Sequence, residues 1–224
     1  RRATTRPIIP STIRPGEHPH PHLRPHPRLG DLRGVHLRPH HLPGFEIILI
    51  ENNSKAPETF RTYERMQKEH PDNLKVVTWE GKGFNYSALN NFGEKFATGE
   101  YLLLLNNDTE VITAAWLEEM VMYAQQKRVG CVGAKLLYPD DTIQHAGVIM
   151  GINGSAGHSH KSYPRKAVGD LYRLVTTQDY MAVTGACLMT KTELYRAAGG
   201  LDEAKFAVAY NDVDYCLKLC RRAC

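Results

Sequence analysis

No apolar run in the 224 residues approaches the roughly 20 needed to span a bilayer as a helix, and the Arg-rich start lacks the apolar core of a secretory leader. Both absences point to a cytosolic chain. Cysteine is scarce, five in all, and Cys216, Cys220 and Cys224 recur every fourth residue. That spacing stacks them along one helix face and gives no Cys-x-x-Cys pair, so core or free thiols are expected over disulfides or zinc ligands. A P-loop is lacking, and Gly81-Lys82-Gly83 is no dinucleotide fingerprint, because the third glycine is missing and no such helix start follows. Residues 1–44 contain neither lysine nor any Phe, Trp or Tyr. A nucleic-acid reading of that basic segment therefore lacks rings on which bases could stack.

What is present reads as one globular domain behind a tail: 42% hydrophobic and 23% charged residues. The overall charge of +4 divides unevenly, since eight Arg against Glu17 and Asp31 give residues 1–44 a net +6 and leave −2 for residues 45–224. The globular part is not basic, and no nucleic-acid partner is expected. Residues 1–44 also hold seven of the eleven His and nine of the thirteen Pro, with no helical or strand periodicity. Such a segment is expected to be disordered, or to be a frame-shifted His/Pro/Arg-rich stretch. Read one nucleotide later, a His codon followed by a C-initial codon becomes Ile or Thr, and residues 15–26 and 35–43 then permit an apolar strand and a helix end.

From Phe45 the pattern is βαβ. Phe45–Ile50 and Tyr101–Leu105 are nearly all apolar, as strands buried on both faces of a parallel sheet are, and both end in polar residues, Glu51-Asn52-Asn53-Ser54 and Asn106-Asn107-Asp108. In open α/β sheets ligands lie beyond the carboxyl ends of the strands, so Asp108 falls where a metal or phosphate would sit. The plainer reading of Asn-Asn-Asp is a turn. Pro57 opens a helix to about His70 with Phe60, Tyr63 and Met66 on its apolar face, and Leu74–Thr78 is the next strand. Asn85 caps a helix that Gly99 closes, and Thr113 caps another that runs to about Gln126. A mobile loop is expected over Gly151–Ser162; His158 and His160 within it and His145 before it are candidate metal ligands, although loop histidines are more often merely solvated. Tyr180–Met189 reads as a strand, Thr190 with Glu193 as a capping box, and Gly199-Gly200 as that helix's end. Asn211 caps a last helix with Asp212 in its first turn, where the macrodipole favours the ionised carboxylate.

These residues resemble the family 2 glycosyltransferases of the GT-A fold, of the bacterial surface-polysaccharide type. The matching pieces, in the family's order, are Leu49–Ser54, Phe84–Asn90, Leu105–Val111, Thr142–Gly147, and Gly199–Glu203 with Asn211-Asp212-Val213-Asp214. The resemblance implies an α/β fold with a mostly parallel sheet flanked by helices. It also implies a truncated family 2 domain over residues 45–224 that is incomplete at both ends, lacking the family's first strand and helix and stopping inside the last helix. The implied reaction is inverting transfer of a sugar from a nucleotide-diphosphate donor to a saccharide or lipid-linked acceptor. A divalent metal, Mg²⁺ or Mn²⁺, would neutralise the diphosphate, with Asp108 as its ligand at the last acid of the family's Asp-x-Asp motif and Asn106 at the earlier one. Asp212 would be the base that takes the acceptor proton, with Asn211 in the neighbouring acid's position. Glu51, Asn53, Asn85 and Asn90 would line the nucleobase and ribose pocket, and Asp214 would support the acceptor side. The implied location is cytoplasmic, with peripheral association at the inner face of the membrane. The competing reading is a non-catalytic sugar-nucleotide-binding remnant; a sugar-phosphate nucleotidyltransferase would need an Arg-bearing Gly-rich loop that the sequence does not contain.

Overall fold

The computed structural model describes residues 7–12 and 44–223. The shifted-frame strings of residues 15–26 and 35–43 lie outside the described residues. Among the described residues the central sheet has six strands: β1 (Pro7–Thr12), β2 (Glu46–Glu51), β3 (Leu74–Thr78), β4 (Tyr101–Asn106), β5 (Cys131–Gly133) and β10 (Cys187–Lys191), in the order β3-β2-β1-β4-β10-β5. The first four run parallel, and β10 is antiparallel to both β4 and β5. Helices α1 (Pro57–Glu69), α2 (Tyr86–Glu94), α3 (Trp116–Ala124), α4 (Thr192–Ala198) and α5 (Asn211–Ala223) cover the two faces. Two small antiparallel pairs lie outside this sheet among the described residues, β6 (Leu136–Leu137) with β7 (Ile143–His145), and β8 (Val148–Met150) with β9 (Ala156–His158).

The leucine run of β4 shows why an unbroken apolar string makes a central strand. Successive side chains alternate between faces: Leu102 and Leu104 join Ile48, Ile50, Leu89, Tyr195 and Tyr215 in one core layer, under α2, α4 and α5. Tyr101, Leu103 and Leu105 join Ile47, Leu49, Tyr63, Leu117 and Met120 in the other, under α1 and α3. Neither face of the strand can be polar, so the polar residues wait until the strand leaves the sheet at Asn106.

Several sequence expectations change. The strand expected to be missing is filled by Pro7–Thr12, which lies between β2 and β4 with Thr12 beside both Ile50 and Asn106. Pro7 and Pro10 contribute no backbone donor, yet the gap between two parallel strands offers ladder partners on both sides, and that tertiary demand outweighs weak strand propensity. Within the expected loop at Gly151–Ser162, Ala156–His158 is a strand, because Gly151 and Gly154 take φ of 90° and 75° and turn the chain so that Val148–Met150 pairs with it; the remainder is turn. The strand expected over Tyr180–Met189 is only its second half, displaced to Cys187–Lys191. Thr190 lies within it and caps nothing: its hydroxyl donates to the Gly130 carbonyl and meets the Tyr215 hydroxyl at 2.8 Å. Helix α3 begins at Trp116 without a side-chain cap, so Thr113 does not cap it. On α1, Tyr63 and Met66 are buried as expected, while Phe60 is exposed and packs edge-on against Tyr63. Asn85 does cap α2, accepting from the Ala88 amide, and Gly199 ends α4 in the left-handed conformation. The thiols of Cys131, Cys187, Cys216 and Cys220 are free.

Candidate functional site

The carboxyl ends of the parallel strands and the start of α5 meet at one rim. Strand β4 ends at Asn106, whose amide donates to the Ala186 carbonyl over 3.0 Å. The preceding residue, Gly185, donates its amide to Asp212 Oδ2 at 2.8 Å, and its carbonyl accepts from the Tyr86 hydroxyl at 2.6 Å. The approach there is close: a Cβ would stand 3.1 Å from the Tyr86 oxygen, tight enough that the tyrosine would have to give by a few tenths of an ångström, and in ordinary contact with Asp212 Cβ at 3.5 Å. Asp212 Oδ1 accepts from the Val213 amide, so both carboxylate oxygens are oriented by backbone donors at the first turn of α5. Beside it, Asn211 is buried, donating to the Val208 carbonyl and accepting from the Asp212 amide.

Asp212, Asn211 and Tyr210 form one wall of a cavity of about 370 Å³. The opposite wall is the β8–β9 hairpin, with Val148, Ala156 and His158. Asp108 lies two residues past β4 and is exposed; Thr109 closes the turn beside it by donating its hydroxyl to the Asn106 carbonyl. Among the described residues no group of three or more His, Cys, Asp or Glu side chains could hold a metal. The donor set therefore does not form a protein cage; a single exposed carboxylate fits a Mg²⁺ or Mn²⁺ ion that takes its remaining ligands from water and phosphate oxygens.

The remaining predicted residues fall into two groups. Asn53 and Asn85 lie at the surface side. Asn53 takes a positive φ of 56° and donates to the Asn52 side chain and the Gly81 carbonyl, while Asn85 ties α2 to the Glu203 carbonyl. Glu51 and Asn90 are buried behind them, 2% and 1% exposed. Glu51 accepts from the Ser54 amide, the Ser54 hydroxyl and the Tyr63 hydroxyl, and burial together with this carboxylate raises the Tyr63 phenol far above its ordinary range. Asn90 donates to the Tyr86 carbonyl within α2. Asp214 is ion-paired with Lys218 at 2.8 Å, one turn along α5. The Leu201–Lys205 turn is held by Asp202, whose carboxyl is kept below its usual range by the Lys205 amide first and then by that of Ala204.

Two residues that sequence reasoning passed over or misjudged belong to the same region. Asn52 is buried, and its side-chain NH₂ has no partner among the described residues, an unsatisfied donor at the end of β2. His158 reaches the cavity through an ordered pair. The Nε2 of buried His145 accepts from the Gly147 and Thr184 amides, at 3.2 and 3.3 Å, so its proton is assigned to Nδ1, which faces His158 Nδ1 at 3.1 Å. His158 Nδ1 also stands 3.0 Å from the Gln144 carbonyl, which can only accept. Burial first, and then the neighbouring imidazole, pushes His145 down to about 3. Both nitrogens of His145 and the Nδ1 of His158 are engaged within the chain, which leaves His145 no nitrogen for a metal. His160 contacts Ser159 and Asp170.

The architecture matches solved glycosyltransferases of the GT-A fold. It is similar to the mannosyltransferase PcManGT of Pyrobaculum calidifontis in complex with GDP-Man and Mn²⁺, at 17% identity and TM-score 0.57 over 95% of this chain and 50% of that one. It is also similar to GalNAc-T7 with UDP, GalNAc and Mn²⁺, at 14% identity and TM-score 0.67 over 96% and 40% of the two chains. The fold is thus GT-A. Residues 35–195 match the model of glycosyl transferase family 2, and the chain belongs to that family. Among curated relatives, it is 47% identical over 175 residues to the uncharacterized protein y4gI of Sinorhizobium fredii, covering 78% of this chain and 19% of that protein. It is 43% identical over 178 residues to the O-antigen biosynthesis protein RfbC of Myxococcus xanthus, covering 79% and 14%. The chain spans less than a fifth of the length of either relative.

Proposed function

We propose that this chain is the donor-binding and catalytic part of an inverting glycosyltransferase that moves a sugar from a nucleotide-diphosphate donor to a saccharide or lipid-linked acceptor in surface-polysaccharide assembly. The observation that carries the reading is the Asp212 carboxylate on the cavity wall, oriented by the Gly185 amide, with the end of β4 tied to the adjacent Ala186. A carboxylate so held can accept the acceptor hydroxyl's proton as that oxygen attacks the anomeric carbon, and direct displacement there inverts configuration. Asp108 would hold a Mg²⁺ or Mn²⁺ ion, which when bound neutralises charge on the departing diphosphate. Asn53, Asn85 and Asn106 would contact the nucleotide from the rim, with Glu51 and Asn90 supporting that wall from behind. The unpaired Asn52 amide suits an acceptor atom of the nucleotide. Mn²⁺ with a nucleotide or nucleotide sugar in the two related structures, and O-antigen biosynthesis in the Myxococcus relative, support the same reading. A lipid-linked acceptor would bring the chain to the inner face of the cytoplasmic membrane.

The test is to incubate the purified chain with UDP-, GDP- and dTDP-hexoses and MnCl₂ and follow nucleoside diphosphate release. Metal-dependent release that falls in the Asp212→Asn variant supports transfer. Calorimetric binding of a sugar nucleotide without release supports the binding remnant instead.

A further inference from the structure

The segment between Tyr163 and Val175 shows five apolar side chains to solvent: Leu171 is 88% exposed, Tyr172 65%, Val175 57%, and Val168 and Tyr163 49% each. This is a built loop. Leu174 is buried within it, the Leu174 amide donates to the Val168 carbonyl at 3.0 Å, and Lys135 Nζ donates to the carbonyls of Arg165 and Leu174 at 3.3 and 3.1 Å. At its tip, Leu171 and Tyr172 both take left-handed backbone, with φ of 51° and 61°. Two consecutive non-glycine residues in that region are sterically disfavoured, and such strain persists only where the surrounding structure enforces it, which is most often at functional sites. Here the enforced conformation presents a leucine and a tyrosine to water, the opposite of what burial of apolar surface favours.

The charge around the tip narrows the partner. Lys161, Arg165, Lys166 and Arg173 against Asp170 give residues 161–175 a net +3, although the globular part as a whole is acidic. Arg165 is engaged by Asp141 at 3.1 Å, whereas Lys161, Lys166 and Arg173 are exposed with no ion pair among the described residues. An apolar tip with an interfacial tyrosine inside a basic ring is complementary to an anionic lipid surface: the side chains enter the headgroup boundary while the cations meet phosphates.

We propose that the Tyr163–Val175 loop is a membrane-docking surface, with Leu171 and Tyr172 inserting into an anionic bilayer and Lys166 and Arg173 binding its headgroups. It gives the transfer reading a partner and a face, and it is measured without donor or acceptor, so its failure leaves that reading standing. The experiment is co-sedimentation of the full chain with vesicles of phosphatidylcholine and phosphatidylglycerol at 7:3, and with pure phosphatidylcholine. Binding is expected to the anionic vesicles only, weakened by salt, and reduced about tenfold or more in Leu171→Ser/Tyr172→Ser and in Lys166→Glu/Arg173→Glu. The Leu171→Gly variant separates folding from docking, because glycine accepts the backbone conformation: its Tm should hold or rise while vesicle binding falls. No binding to anionic vesicles, equal binding to both compositions, or wild-type binding by the Leu171 and Tyr172 variants overturns the proposal.

Discussion

The Gly185 amide donates to the Asp212 carboxylate over 2.8 Å, and through the next residue the same segment is hydrogen-bonded to Asn106 at the end of β4. The first turn of α5 and the carboxyl end of the central strand are therefore fixed to one another through Gly185-Ala186, by one hydrogen bond to the Asp212 side chain and one between backbone groups. A shift in either would be transmitted to the other.

Asp212→Asn is expected to lower transfer by roughly 10²- to 10⁴-fold, the range of a general base, while its oxygen can still accept from Gly185 and its NH₂, turned toward the Val213 amide, costs a little in Tm. Turnover and Tm measured on the same preparation check this. Comparable activity in the variant removes Asp212 from the base role.

Asp108 is exposed, so Asp108→Asn should leave Tm unchanged. The expected effect is a rise of tenfold or more in the Mn²⁺ concentration needed for half-maximal activity at fixed donor, read from a metal titration. An unaltered metal response would assign the ion to other ligands.

Glu51 accepts from three donors in a buried setting, and Glu51→Gln turns an NH₂ group toward donors it cannot satisfy. A loss of about 2 kcal/mol is expected, and Tyr63→Phe should lose about 1 kcal/mol by removing one of those bonds. Urea titration measures both. If Glu51→Gln instead weakens sugar-nucleotide binding with stability intact, the residue contacts the ligand directly.

His145 supplies a pH dependence. Its imidazole is held at about 3 in the folded chain against an ordinary 6.5, so the unfolded state binds the proton more readily between those values. The associated stability is fully present above pH 6.5 and falls as the pH drops toward 3, by about 1.4 kcal/mol for each unit. Replacing His145 with Gln should flatten that part of the Tm-against-pH curve. An identical acid limb in the variant would assign acid sensitivity to other groups.

The sequence was most informative where a residue's local physics and its place in the fold agree. Four adjacent leucines suit only a strand covered on both faces, and β4 is that strand; β3 and the Asn85 cap were legible for similarly local reasons. It misled where composition and context disagree. Gly151 and Gly154 read as loop because they are glycines, but they make a hairpin turn whose strands are short and only partly buried. Thr190 has capping chemistry and sits in a strand, where its hydroxyl is claimed by Gly130 and Tyr215. The His145–His158 contact was visible only as scattered histidines, since nothing in their spacing says that a turn folds one ring onto the other.

By itself the sequence determined the βαβ order, the apolar strands and the acids at their ends, because hydrophobic periodicity and helix-end chemistry are local properties. Tertiary structure alone decided that Pro7–Thr12 enters the sheet, that β10 reverses direction beside β4, and that Gly185 brings Asp212 to the rim. Those outcomes rest on contacts between residues far apart in the chain, whose free energy appears only once the sheet has assembled around them.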